Sequence, residues 1–481
     1  MKVLHDAANR EPNDEVSKKL RGEAEDLRKP SGNFDGVISL IDDYAKKKGI
    51  KIEAYLFNSK ILKMESEDGK ISNYVNAETN GLNVRLFDKK KLSFSYCLGL
   101  EEQKIINALD GAYSLLKFMD ENEYFDLAEK DESLMDSSLP EKLGIYSDDC
   151  QLVDIDKKKS LLIEMEETAY SYDKKIYKTD KPSYSETLIS KRFYNSNGLD
   201  LSSRKTFYEI FLSVASKNGE DTGSGFDFDF SHKFEELKFK KTAMNAAKKG
   251  VDQLGARTAP SGSYNVIFDN YTASEILSIL KQSFYADSVY KKKSLLEGKL
   301  GEKVFSDKID IIDDAVLYGG AFTDIFDREG VKTQKKILCS SGVIKSYLYD
   351  IEYAKRTGEK STGNSVSRSF TLPPDIGSTN FFIKNGETNI LDMIGSIKDG
   401  LYITELMGLH MAKPYTGEFS LGASGFYIKN GKLDFPVKGI VLSGNLMQLF
   451  NAVVKIADDI RFFGSTGSPS ILFDNVQVSG T

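Results

Sequence analysis

The dipeptide Asn430-Gly431 constrains this chain more than any other local feature. It lies between Phe426-Tyr427-Ile428 and Leu433-Asp434-Phe435. The two central residues of a tight hairpin need positive φ, which asparagine and glycine accept at least cost. The chain must reverse there, and Gly400 to Gly444 reads as a glycine-punctuated sheet. Upstream, Thr416-Gly417-Glu418-Phe419-Ser420-Leu421-Gly422-Ala423-Ser424-Gly425 is small or hydroxyl-bearing in its second half, so a backbone or an extended ligand could approach closely. A bulged strand and its turn also account for the pattern.

Elsewhere the periodicity alternates between helix and strand. Val37, Ile38, Ile41 and Tyr44 form a helical stripe closed by Lys46-Lys47-Lys48-Gly49. An antiparallel meander follows over Ile52–Met64, Lys70–Val75, Leu82–Phe87 and Leu92–Tyr96, then a helix over Glu101–Met119. After a helix-leaning middle that includes Lys157–Tyr170, a second meander spans Thr187–Ser231 with turns at Asn197-Gly198 and Asn218-Gly219. Within it Phe226, Phe228 and Phe230 alternate with Asp227 and Asp229, which predicts a half-buried strand with both aspartates on its polar face. Lys240–Leu254 reads as a helix, and Gly255–Gly262 as an interdomain linker.

The second half begins with a strand, Tyr264–Phe268, and a helix from Thr272 to Tyr285 that Thr272 or Ser274 caps. Asp307, Asp310, Asp313 and Asp314 interleave with isoleucines and read as a solvated strand edge. Cys339–Tyr349 reads as a hairpin about Ser340-Ser341-Gly342, and 355–380 as a long surface loop. Leu446–Ile460 reads as an amphipathic helix and Ser470–Val478 as a strand. The fold class is α+β, in three parts: a charged tail over 1–35, with one weak helical stripe at Val16, Leu20, Ala24 and Leu27; a mixed helix and antiparallel-sheet domain over 36–258; and a β-rich domain over 259–481.

Charge and cysteine usage limit the function. With 65 basic against 72 acidic residues, a net charge of −7 and no basic stripe, nucleic-acid binding is not expected. Cys97, Cys150 and Cys339 are far apart and odd in number, which suggests neither a disulfide framework nor a thiolate metal site and fits a reducing cytoplasm. No apolar run approaches a membrane span and the N-terminus has no secretion signal, so a cytoplasmic location is expected. Asn270-Tyr271-Thr272 is then an accidental glycosylation triplet. No Gly-x-Ser-x-Gly elbow, Walker A string or Gly-x-Gly-x-x-Gly turn occurs, so nucleophilic hydrolase and nucleotide-binding readings have no support.

Five short strings carry a family resemblance: Gly81-Leu82-Asn83-Val84-Arg85, Phe326-Asp327-Arg328-Glu329-Gly330-Val331, Ser361-Thr362-Gly363-Asn364, Thr416-Gly417-Glu418-Phe419-Ser420 and Gly444-Asn445-Leu446. In order and spacing they resemble the TldD/TldE family, also called PmbA or modulator of DNA gyrase, over residues 36 to 481. The resemblance implies a two-domain α+β protein that pairs with a second family member. In the TldD-type subunit it implies a helix bearing HExxxH at the start of the C-terminal domain, whose two histidines and a later cysteine hold zinc. Two imidazoles on one helical face bind the metal, and the glutamate acts as general base on its water. Thr272–Lys291 contains no histidine, and His5, His232 and His410 are too dispersed to share a helical turn. The resemblance is therefore closest to the TldE (PmbA) subunit, which lacks HExxxH.

The expected function is a substrate-holding subunit with no catalytic residue and no metal of its own, beside a zinc-bearing TldD-type partner that cuts unfolded or modified peptides. Its expected peptide contacts are Thr416, Gly417, Phe419, Ser420, Gly425 and His410, with the peptide adding as a strand to the sheet edge at Thr416–Gly425. A lone loop histidine such as His410 is more often structural or solvated. The alternatives are a homodimeric peptide-binding protein without enzymatic output and, from the family's older name only, a modulator of gyrase or DNA.

Overall fold

Alternating apolar residues on long strands build the first half around one antiparallel sheet, β3-β2-β1-β4-β5-β6. Its strands are β1 (Lys51–Glu67), β2 (Lys70–Asp88), β3 (Lys91–Leu98), β4 (Ile176–Asn195), β5 (Asp200–Asn218) and β6 (Asp221–Ser231). The computed structural model describes residues 34–151 and 153–480. The expected helical stripe from Val16 to Leu27 and His5 lie outside the described residues, as does all of the expected tail up to residue 33. The two strands expected at Lys70–Val75 and Leu82–Phe87 are one, because Asn76 to Asn80 stays in register with Leu62 to Asn58. Backbone pairing does not require apolar side chains.

One face of this sheet is covered by helices. Ile52, Ala54, Leu56, Leu82 and Val84 pack against α1 (Phe34–Lys48) and α2 (Glu102–Leu115) through Ile41, Ile105 and Leu109. Farther along, Tyr184, Tyr208 and Ile210 meet α3 (Ile155–Tyr172) and α4 (Phe239–Asp252) through Leu162, Met165, Ala243 and Ala246. Gly225 of β6 lies so close to α4 that a Cβ there would sit 2.2 Å from the Gly250 nitrogen.

The other face is covered by the second half of the chain, which reverses the expected polarity of β6. Asp227 is the enclosed residue at 2% exposure, facing Asn245 of α4 (2.8 Å) and Arg461 (2.8 Å). The phenylalanines are half-buried, with Phe226 edge-on to Tyr271 and Phe228 edge-on to Phe463. Alternation gives the period correctly, but both faces of this strand are covered.

The second half holds two further six-stranded sheets. One runs β10-β9-β8-β13-β19-β18, from β8 (Ile311–Asp314), β9 (Lys335–Ser340), β10 (Val343–Ile344), β13 (Phe381–Ile383), β18 (Arg461–Phe463) and β19 (Thr466–Ser468). Between them, β11 (Ser365–Val366) pairs only with β12 (Asp375–Ile376). The other sheet runs β16-β15-β14-β7-β20-β17, from β7 (Gly262–Phe268), β14 (Asp399–Met407), β15 (Glu418–Lys429), β16 (Lys432–Asn445), β17 (Val453–Ile456) and β20 (Ile471–Ser479). Pairing of β16 with β20, from Val441↔Ser479 to Ser443↔Gln477, closes five of its strands into a barrel. The expected hairpin joins β15 to β16, with Asn430 and Gly431 at φ 50° and 76°.

Four expectations change here. Asp313 and Asp314 are not at a solvated edge: β8 is interior and they are 0% and 5% exposed. Asp313 Oδ2 lies 2.9 Å from Lys336 Nζ and accepts from Thr379 Oγ1, while its Oδ1 accepts from the Thr379 nitrogen. The segment 355–380 is not wholly surface, since Asn364, Ser365, Thr379 and Asn380 are buried. The helix expected over Leu446–Ile460 stops as α6 (Leu446–Asn451), because Val453-Val454-Lys455-Ile456 is β-branched and pairs with β20 as β17. Finally, the helix α5 (Asn270–Leu280) is capped by Asp269, whose carboxylate accepts from the Thr272 nitrogen (2.8 Å). Among the described residues no helix is long and apolar enough to cross a membrane.

Candidate functional site

Two β-bulges flank Ser424 and Gly425 on β15 and open the strands into a cleft. On β14 the register runs from Ile403↔Gly425 to Glu405↔Ser424, leaving Thr404 unpaired. On β16 it passes from Ala423↔Ile440 to Gly425↔Val437, leaving Lys438 and Gly439 opposite Ser424. Such bulges re-aim side chains. Gly425 is required sterically, since a Cβ there would lie 2.0 Å from the Tyr402 carbonyl oxygen.

The cleft encloses about 300 Å3 between the first sheet and the barrel. Its floor carries Tyr402, Thr404 and Glu405 of β14, and Ser424, Gly425 and Phe426 of β15. Asp269 and Tyr271 enter from the start of α5, and the facing wall comes from Phe226 and the Asn245–Gln253 side of α4. Tyr271 is held edge-on between Phe226 and Phe463, at 5.6 and 5.0 Å. Arg461 ties this wall to the second half: its guanidinium is 2.8 Å from Asp227 Oδ1 and donates to the Phe228 carbonyl.

The cleft acids are poorly solvated. Burial raises Asp269 and Glu405 above the usual carboxylate range, opposed at Asp269 by the Thr272 hydrogen bonds and at Glu405 by Gln253. Glu275, one turn beyond Tyr271 on α5, is pushed up to about 7, first by burial and then by the charges of Asp269 and Glu405 against the Tyr271 hydrogen bond. Among the described residues its Oε2 is enclosed without a hydrogen-bond partner.

A pH-dependent stability follows. The folded state holds Glu275 protonated above its ordinary 4.5, so its favourable contribution is complete below that value and is lost as pH rises toward 7. Glu275→Gln removes this titration, so denaturant unfolding is expected to show a larger stabilisation of the variant at about pH 8 than at about pH 5. Equal differences at the two pH values would refute it.

The residues expected to contact peptide do not gather in one place. Gly425 lines the cleft. Phe419 is 5% exposed and packs in the barrel core, so its ring is not a surface contact. Gly417 is buried at φ 76°, and the Thr416 carbonyl accepts from Asn445 Nδ2 (2.8 Å), which joins two of the family strings at one end of the barrel. Thr416, Ser420 and His410 are exposed at that end. The edge expected to accept a strand narrows to Phe419–Leu421, which pair with β16 and have no β14 partner: from Gly422 onward β15 is paired on both sides, and at Glu418 the carbonyl already accepts from Lys413.

Sequence reasoning missed Asp269, Tyr271, Tyr402 and Glu405. Two signals were present: an Asp immediately before a helical stripe, which is an N-cap pattern, and Thr404-Glu405 interrupting the apolar run of β14.

The residues at α5 do not fit zinc. The helix lends the cleft Tyr271, beside its cap Asp269, and among the described residues no three His, Cys, Asp or Glu side chains converge to hold a metal. His232 is buried between the Thr206 and Gly320 carbonyls, and Cys339 is buried on β9 with its thiol pushed up to about 12 by burial.

Comparison with known proteins matches residues 52–116, 148–254 and 261–480 to the PmbA/TldA metallopeptidase domain 1, central domain and C-terminal domain. A metalloprotease PmbA homolog from Haemophilus influenzae is 26% identical over 96% of this chain and 98% of its own length. A metalloprotease from Methanothermobacter thermautotrophicus is 30% identical over 62% of this chain and 69% of its own. The crystal structure of TldE from Thermococcus kodakarensis superposes with a TM-score of 0.81 at 22% identity, over 92% of this chain and all of that one.

Proposed function

This chain belongs to the PmbA/TldD/TldE metallopeptidase family, and we propose that within it the chain is a cytoplasmic substrate-holding subunit whose zinc chemistry is supplied by a TldD-type partner. The observation that carries this reading is the chemistry of α5. Where the family's catalytic subunits present HExxxH, this helix carries Asn270 to Leu280 without histidine or cysteine. A mononuclear zinc site needs three protein ligands of nitrogen, sulfur or carboxylate type around an open position. What remains beside the helix is a cleft lined by aromatic, hydroxyl and charged side chains, suited to holding an extended peptide.

The purified chain is expected to bind unfolded peptides, to contain no stoichiometric zinc and to cut nothing, and cleavage is expected when a zinc-bearing TldD-type subunit is added. Metal analysis and a peptide-cleavage assay, with and without that subunit, check this. One tightly bound zinc per chain, together with cleavage by the chain alone, would overturn it.

A further inference from the structure

We propose that the cleft between α4 and the barrel is a subsite for a cationic side chain, the ammonium of a lysine in an extended peptide, received between Asp269 and Glu405. The inference rests on the peptide-holding reading above and names the chemistry that this site selects.

Unused acceptors motivate it. Asp269 is 9% exposed, and its Oδ1 takes both hydrogen bonds from Thr272, at 2.8 Å from the nitrogen and 2.8 Å from Oγ1. Among the described residues nothing donates to its Oδ2. Among the described residues Glu405 receives only the long contact from Gln253 Nε2, 3.3 Å to Oε2, and nothing donates to its Oε1. The Tyr402 hydroxyl, on the same floor, also has no partner among the described residues. Tyr402 and Glu405 are half-buried and, like Asp269, line the cavity, so these groups are open to a ligand that enters it.

The cations of the lining are already committed elsewhere. Lys248 pairs with Asp252, and Lys438 Nζ is 3.1 Å from Asp221. The charge of Lys249 reaches Asp269, but its ammonium donates to the Phe226 carbonyl at 3.2 Å and lies 3.6 Å from Asp227. Among the described residues Asp269 and Glu405 are therefore the carboxylates of the lining without an ion pair. The walls of the cleft include Phe226, Tyr271, Tyr402 and Phe426, apolar rings suited to the aliphatic stem of a lysine.

The test compares two short extended peptides that differ only in a central lysine or its isosteric norleucine, together with N-acetyl-lysine amide as a small probe. Binding to the full chain is measured by calorimetry. The lysine peptide is expected to bind roughly tenfold more tightly than the norleucine peptide. Glu405→Gln and Asp269→Asn are expected to abolish that advantage, so that each variant binds the lysine and norleucine peptides equally. Asparagine is itself a good N-cap, so Asp269→Asn keeps α5 capped, and the comparison on the unmodified chain does not depend on either variant folding.

Equal binding of both peptides would overturn the cationic subsite and leave the peptide-holding reading standing. Binding of the small probe that is lost in Glu405→Gln, with neither peptide bound, would support the subsite and overturn the peptide-holding reading. Binding of neither peptide nor probe would overturn the subsite.

Discussion

Arg85→Met is expected to lower the unfolding free energy by about 3–5 kcal/mol. Arg85 on β2 forks onto Glu53 of β1, Nε to Oε1 at 2.8 Å and Nη2 to Oε2 at 2.7 Å, and its Nη1 donates to Glu329 Oε1 at 3.1 Å. All three side chains are below 10% exposed. Burial raises Glu53 despite Arg85, and the two carboxylates hold the guanidinium above its ordinary value. Removing the arginine leaves two enclosed carboxylates without their cation, which costs more than the intact cluster contributes. The prediction has an internal control: adding Glu53→Gln to Arg85→Met relieves one orphaned charge and should recover part of the loss. Denaturant unfolding of the three proteins measures this. A single-variant loss below about 1 kcal/mol, the range of exposed pairs, would show that water reaches the cluster.

Asp313→Ala should be comparably damaging, again by about 3–5 kcal/mol. The carboxylate is fully buried and meets Lys336 Nζ, the Thr379 nitrogen and hydroxyl, and Asn364 Nδ2 at 3.0 Å. Alanine strands the Lys336 ammonium, which is only 6% exposed. Lys336→Met removes the cation but leaves Asp313 its three hydrogen-bond donors, so it should cost less than Asp313→Ala. The reverse order of melting temperatures would contradict this account.

These clusters explain how the family strings were legible while their role was not. Arg85 and Glu329 come from two of the strings and meet across the interface between the two halves. Asp327 Oδ2 accepts from the Ser365 nitrogen (3.0 Å), next to Asn364 of a third string, which bonds Asp313. Their order and spacing identified the family, but Arg85 and Glu329 meet between the first sheet and the second half and Thr416 and Asn445 at one end of the barrel, where only tertiary structure brings them together.

Local chemistry was readable wherever it was sufficient by itself. The Asn430-Gly431 hairpin and the turns at Asn197-Gly198 and Asn218-Gly219 needed nothing from elsewhere in the chain. The polarity of β6 and the burial of Asp313 were unreadable because a half-polar strand looks the same whether its polar face meets water or other polar groups. Leu446–Ile460 kept a helical spacing past Asn451, where pairing of Val453 to Ile456 with β20 overrode it. The cleft was legible only at Gly425. Its remaining walls come from 222–271 and 402–438, and no local pattern shows that these segments face each other.

Closure of the barrel through β20 also sets an order of events during synthesis. The strands of the first sheet pair largely with neighbours that emerge within a hairpin's length, apart from the β1–β4 junction. β7 must wait for β20: Ser261 and Gly480, which hydrogen-bond to each other beside these strands, are 219 positions apart. Domains fold as units while the ribosome delivers them, and non-local pairing carries a loop-closure cost before it is rewarded. On a translating ribosome the first sheet can therefore be complete while β7, β14, β15 and β16 still present an unclosed rim.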